Sequence, residues 1–164
     1  MFPNLHGAEV ERLEQAGVLG RVAARARRRA VRAGDTEVDT GHLLHALLES
    51  DDRVLGLAAP FPTQATRLMG YLAQRSIGFG RDWSSGEGAV VPRPRRQAPL
   101  GWSRSAAAAL ERAALAALIR EGAEPGALDL LAELASDPSS RAAEVLAGAG
   151  VDPQAVVARV QAEL

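Results

Sequence analysis

The sequence predicts an all-α chain made of two helical repeats in tandem, and three observations carry that expectation. One element occurs twice. Thr40-Gly41-His42-Leu43-Leu44-His45-Ala46-Leu47-Leu48 is followed by Val54-Leu55 and Pro62, and Gly126-Ala127-Leu128-Asp129-Leu130-Leu131-Ala132-Glu133-Leu134 by Val145-Leu146 and Pro153. The step from Val54 to Pro62 equals the step from Val145 to Pro153, and self-similarity of this kind outranks local propensity. A glycine, Gly34 or Gly122, closes a long Ala-rich helix ahead of each copy. Aromatic residues are only 4% of the chain while alanine is abundant, which suits helices that approach on small side chains. The expected divisions are an N-terminal extension over 1–17, repeat one over 18–77, a Gly/Pro/Arg linker over 78–101 and repeat two over 102–164.

Taken in order, a short helix fits Ala8 to Ala16, with Val10 and Leu13 on one side, and Gly17 interrupts it. The next helix runs from about Val18 to Ala33. Leu19, Val22, Ala23, Ala26, Ala30 and Ala33 form its apolar stripe, and Arg21, Arg25, Arg28 and Arg32 its opposite face. Gly34 suits a left-handed stop. Thr40 is the expected N-cap of the following helix, which buries Leu43, Leu44, Leu47 and Leu48. Asp51 or Asp52 caps a short helix carrying Val54, Leu55 and Leu57, which Pro60-Phe61-Pro62 breaks. Thr63 opens another, with Ala65, Leu68, Met69 and Leu72 inward.

From Gly78 to Gly101 the glycines, serines and Pro92-Arg93-Pro94-Arg95-Arg96 have the composition of a linker, flexible first and extended later. Ser103 or Ser105 caps a helix reaching about Arg120, with Leu110, Ala113, Ala114 and Ala117 as its main stripe. Pro125-Gly126 starts a helix ending near Ser136. Asp137-Pro138 and Asp152-Pro153 both read as an N-cap followed by proline, where the missing N–H costs nothing. Gly148 and Gly150 end the penultimate helix.

Composition excludes several chemistries. There is no cysteine, hence no disulfide, thiolate metal site or cysteine nucleophile. There is no lysine, so neither a phosphate-gripping Walker lysine nor a Schiff base can form. No stretch approaches the ~18 apolar residues of a membrane-spanning helix, and Met1-Phe2-Pro3-Asn4-Leu5-His6 lacks the basic and apolar regions of a signal peptide. A cytoplasmic location is the expectation. The formal net charge is −1, yet Arg21, Arg25, Arg27, Arg28, Arg29 and Arg32 cluster without an acid, whereas acids dominate after Ser105. Such asymmetry marks a partner surface or orients the two halves toward each other.

The order of long helix, glycine, short loop, Thr-x-His-Leu-Leu-x-x-Leu-Leu, acidic turn, Val-Leu and further helix resembles the N-terminal domain of the Clp chaperone ATPases. Thr40, His42, Leu43, Leu44 and Leu47 match that family's Thr-Glu-His-Ile/Leu-Leu-x-x-Leu motif. The second copy keeps only the leucines, and Trp102-Ser103 is similar to the Phe-Thr that opens the family's second repeat. The resemblance spans nearly everything from Val18 to Leu164 apart from a lengthened linker. It implies two four-helix repeats and a role in docking substrates and adaptor proteins for an unfoldase. With no ATPase module following, it further implies a stand-alone binding module: an adaptor, a decoy or a protein that sequesters cyclic peptide antibiotics, without cofactor. Clp protease components and such antibiotics are the implied partners. Family members that bind phosphoarginine carry Glu between the Thr and His, where an acid can accept from a guanidinium. Gly41 and Ala127 are assigned to those two places here, and neither can do so.

The candidate peptide- or protein-binding residues are Phe2, Thr40, His42, Trp102, Leu115 and Ile119. Phe2 and Trp102 match family aromatics that line a peptide surface, and Trp102 also suits a hydrophobic staple at a helix start. Leu115 and Ile119 are either an exposed apolar patch, for a partner or self-association, or lie beneath the N-terminal helix or the linker. His42 and His45, one turn apart, have the spacing of two metal ligands, but no cysteine assists them and a structural role at the helix start is expected instead. Arg21, Arg25, Arg28 and Arg32 are the candidate nucleic-acid contacts of an alternative reading, a small DNA-binding regulator. That reading lacks base-reading side chains beside the arginines and a basic overall charge. A structural oligomerisation module is the third reading. Ser84, Ser85, Ser139 and Ser140 sit in turns without a nucleophile-elbow context, so catalysis is not expected.

Overall fold

The computed structural model describes residues 17–76, 100–122 and 124–164, which contain eight α-helices and no strand. The helices are α1 (Gly17–Arg32), α2 (Thr40–Ser50), α3 (Asp52–Ala58), α4 (Pro62–Ser76), α5 (Arg104–Glu121), α6 (Ala127–Ser136), α7 (Arg141–Gly148) and α8 (Pro153–Glu163). The expected helix over Ala8–Ala16, Phe2 and most of the linker lie outside the described residues. No described helix is long and apolar enough to cross a membrane.

The middle of the molecule is made by α2 and α6. Every residue of α2 from Thr40 to Leu48 is buried, and α6 buries Leu130, Leu131 and Leu134 completely. Each such leucine contributes on the order of 1.5–3 kcal/mol by leaving water. The two helices with the longest apolar stripes pack on this pair, α1 on α2 and α5 on α6. Their buried residues recur in one pattern: Leu19, Val22, Ala23, Ala26 and Ala30 on α1, and Ala106, Ala109, Leu110, Ala113 and Ala117 on α5. Most of these are alanines, so the paired helices approach closely. Gly34 and Gly122 follow α1 and α5 with φ of 72° and 63°, the left-handed region that favours glycine.

Contacts run reciprocally between the halves. α2 touches α6 and α7, and α6 touches α3. α4 touches α7, and α8 touches α3. The halves are not identical: α8 lies along α6, whereas α4 makes only a minor contact with α2 and also meets α1. Two side chains join the halves through helix ends. Thr40 Oγ1 accepts from the Ala142 N–H of α7 at 2.9 Å. Arg159 Nε of α8 donates to the Leu57 carbonyl at the end of α3 at 2.7 Å, placing a cation where the helix dipole favours one. A parallel bridge between Val38 and Trp102 ties the loop after α1 to the start of α5.

Three expectations need correction. Thr40 does not cap α2. Asp39 does, accepting from the His42 N–H at 3.0 Å while the Asp39 N–H donates to His42 Nδ1 at 2.9 Å. Aspartate with histidine three residues later completes a reciprocal box, which frees the Thr40 hydroxyl for α7. Asp137-Pro138 does not start a helix. The Asp137 carboxylate accepts from both the N–H and the hydroxyl of Ser139, so the chain turns, and α7 begins at Arg141 with Ser140 as its cap. The third correction concerns register. At α6 the Gly126 N–H donates to Asp129 Oδ2 at 2.9 Å, as the Asp39 N–H donates to His42. The helix starts therefore match Asp39 with Gly126, His42 with Asp129 and Leu43 with Leu130, one residue away from the alignment read off the sequence. Leu128, not Ala127, then stands opposite Gly41. Asp152 caps α8 as expected, and of the alternatives Asp51 or Asp52 and Ser103 or Ser105, Asp51 caps α3 and Ser103 caps α5.

Candidate functional site

A polar groove of about 660 Å³ opens where three helices begin. Asp39 and Thr40 stand at the start of α2, Ser103 and Ser105 at the start of α5, and Ser140 and Arg141 at the start of α7. The aligned backbone dipoles give each of these ends partial positive charge. The hydroxyls are engaged locally: Ser103 Oγ accepts from the Ala106 N–H and Ser140 Oγ from the Ala143 N–H. Asp35, Glu37 and Asp39 line the groove alongside Arg75 and Arg141, so both signs of charge face it.

Arg75 comes from α4 and lies over the start of α2. Its Nη2 donates to Asp39 Oδ2 at 3.0 Å. This placement requires glycine at 41, because an ideal Cβ there would overlap the Arg75 guanidinium. Burial alone would raise the Asp39 carboxyl, but its contacts with His42 and Arg75 overcome this and hold it well below the usual carboxylate range. His42 is nearly inaccessible, and its Nε2 lies 2.6 Å from Asp35 Oδ2. Its Nδ1 lies 2.9 Å from the Asp39 backbone nitrogen and 3.1 Å from Asp39 Oδ1, so the ring is held between Asp35 and Asp39.

His45 belongs to a second cluster. Its Nδ1 is 3.0 Å from Ser76 Oγ and its Nε2 3.1 Å from Glu49 Oε1. Serine, histidine and glutamate in line resemble a nucleophilic triad, and Ser76 was not singled out in the sequence. The surroundings argue against that chemistry. Arg29 donates to both Ser76 and Glu49, and the Ser76 hydroxyl also lies 3.2 Å from the Leu72 carbonyl. Burial, followed by the Arg29 guanidinium, pushes His45 down to about 4, which makes it a weak base. The cluster clasps α1, α2 and α4 together. Among the described residues no group of three His, Asp or Glu side chains is placed to hold a metal ion.

The sequence-derived candidates do not converge. Thr40 is only 2% exposed and engaged with α7, although it lines the groove, and His42 is buried behind Asp39. Trp102 is half-buried beside the groove, with the Arg27 guanidinium 5.3 Å from its ring centroid, a cation–π arrangement. Leu115 and Ile119 are 54% and 75% exposed, and Leu118 between them is 63% exposed. They lie about 18–24 Å along α5 from Ser103, too far to share the groove. Arg21, Arg25, Arg28 and Arg32 are exposed along α1. Phe2 lies outside the described residues. The groove residues that the sequence did not flag are Asp35, Thr36, Glu37, Asp39, Arg75 and Arg141. Asp39 was legible as an aspartate directly before a helical motif, whereas nothing local connects Arg75 to a carboxylate 36 residues earlier.

No protein-family model matches the chain, and no curated protein matches it at a significant level.

Proposed function

We propose that this chain is a non-enzymatic peptide- or protein-binding module of the kind that docks substrates and adaptors on Clp unfoldases, acting as an adaptor, a decoy or a sequestering protein for peptide antibiotics. The observation that carries the reading is the groove at the starts of α2, α5 and α7, which draws its walls from both halves of the chain. Several features support two four-helix repeats beneath it: the shared burial pattern of α1 and α5, the paired left-handed glycines and the reciprocal packing of α2 on α7 and α6 on α3. Arg75 and Arg141 bring donors there, and Asp35, Glu37 and Asp39 bring acceptors, which suits the alternating polarity of a peptide backbone. Phosphoarginine recognition is not part of the proposal, because Gly41 supplies no acid and the chain's own Arg75 covers it.

Trp102 stands beside the groove and provides the test. In a Trp83→Phe chain its fluorescence is titrated with reduced, carboxymethylated ribonuclease A, an unfolded polypeptide without tryptophan, and with duplex DNA. A saturable change with the polypeptide alone supports the module. A flat titration with the polypeptide overturns this groove as its binding site, and a steep salt-sensitive response to DNA alone favours the nucleic-acid reading that the exposed arginines of α1 raise.

A further inference from the structure

The outer face of α1 carries Arg21, Arg25, Arg28 and Arg32 at steps of four, three and four residues, and α1 contains no acid. At about 1.5 Å per residue this row is about 16 Å long. Other arginines are matched: Arg53 with Glu163, Arg75 with Asp39, Arg112 with Glu133, Arg120 with Asp129 and Arg141 with Glu144. Among the described residues the four of the row form no such pair. Like charges at these spacings repel by a few tenths of a kcal/mol per pair, so the row is unfavourable by itself and is relieved by an incoming anion.

A groove of about 580 Å³ runs beside the row. Its floor includes Val18, Val22 and Ala127, and Glu49 and Asp51 stand within it as well. We propose that this face docks an acidic amphipathic peptide, with carboxylates every three or four residues on the arginine row and aliphatic side chains on Val18 and Ala127. The guanidinium fork takes a carboxylate in bidentate fashion. The apolar floor rewards aliphatic burial that a sugar-phosphate backbone does not supply. Glu49 and Asp51 repel a continuous run of phosphates, whereas a peptide presents its charges on one side only. The inference rests on the peptide-binding reading and deepens it by naming a second surface and its partner's chemistry. The residues of the two grooves are separate.

The test is fluorescence anisotropy of the full chain with three labelled probes: a short helical peptide with Glu at the spacing of the arginine row and Leu on the adjoining face, the same peptide with Lys for Glu, and a short DNA duplex. The Glu peptide is expected to bind at low salt and weaken as salt rises, while the Lys peptide does not bind. Arg25→Glu with Arg28→Glu is expected to weaken binding by about tenfold or more, equivalent to about 1.4 kcal/mol. Arg112→Glu, on α5, leaves it unchanged, with circular dichroism showing that both variants are folded. No binding of the Glu peptide, equal binding of the Lys peptide, indifference to the α1 variants, or tighter binding of DNA through the same arginines each overturns the inference. If the Glu peptide fails while the unfolded polypeptide still changes Trp102 fluorescence, this surface is refuted and the module reading stands; the converse refutes the groove at α2, α5 and α7 alone.

Discussion

Thr40 and Ala142 are 102 residues apart, and the hydroxyl of one accepts the amide N–H of the other at 2.9 Å in a fully buried bond. The contact caps α7 from the first residue of α2. It makes the start of a central helix in one half part of the start of a helix in the other.

Thr40→Val keeps the shape and removes the acceptor. A buried N–H left without a partner costs about 1–3 kcal/mol, so urea denaturation is expected to show a loss of that size. Thr40→Ser is expected to lose less than half as much. Equal losses from the two variants would show that the methyl, not the hydroxyl, holds the junction.

Gly41 and Arg75 are expected to be energetically coupled. Alanine is about 1 kcal/mol better than glycine inside a helix, but a Cβ at 41 displaces the Arg75 guanidinium from Asp39. In an Arg75→Ala background, Gly41→Ala is expected to stabilise by about 0.5–1 kcal/mol, and in the wild-type chain to give no gain. A double-mutant cycle in which the two changes simply add would remove the proposed overlap.

Acid is expected to loosen the clasp around His45 before it reaches Asp39. His45 is pushed down to about 4 from an ordinary value of 6.5 by burial and by Arg29, opposed by Glu49. Between those values the unfolded chain binds a proton that the folded chain excludes, so stability falls as pH drops from 6.5 towards 4. The depressed Asp39 carboxyl contributes stability that is present above its ordinary value of 3.8 and is lost at lower pH still. Denaturation at about pH 7 and about pH 4.5 is expected to differ by about 1–3 kcal/mol from this histidine, and His45→Gln is expected to flatten the slope. An unchanged slope in the variant would assign the acid sensitivity elsewhere.

Core and surface leucines are expected to separate cleanly. Leu44→Ala or Leu131→Ala empties a fully buried site and should cost about 2–5 kcal/mol. Leu115→Glu, at a position 54% exposed, should change stability by less than about 0.5 kcal/mol. Light scattering on the wild type and Leu115→Glu then tests the oligomerisation reading: an oligomer that dissociates only in the variant would establish it, and a monomer in both would remove it.

Much of the fold was legible because helices announce themselves locally. The 3.6-residue stripe of α1, the glycines after α1 and α5, and the caps Asp51, Ser103 and Asp152 are short-range features that the structure reproduces. The misreadings occur where two local solutions compete. Asp39 and Thr40 can both cap α2, and the aspartate wins because His42 reciprocates. Asp137 and Ser140 can both precede α7, and the serine wins because the Asp137 carboxylate is taken up by Ser139.

By itself the sequence determined the helical class, the order and approximate ends of the helices and which faces would be apolar, since these follow from spacing and propensity along the chain. Only the tertiary structure decided that Thr40 serves α7, that Arg75 lies over Gly41, that Ser76 meets His45 and that Leu115, Leu118 and Ile119 remain uncovered by the described residues. Those relationships join residues tens of positions apart. Their geometry is set by how close-packed helices cross and pack, which no local pattern encodes.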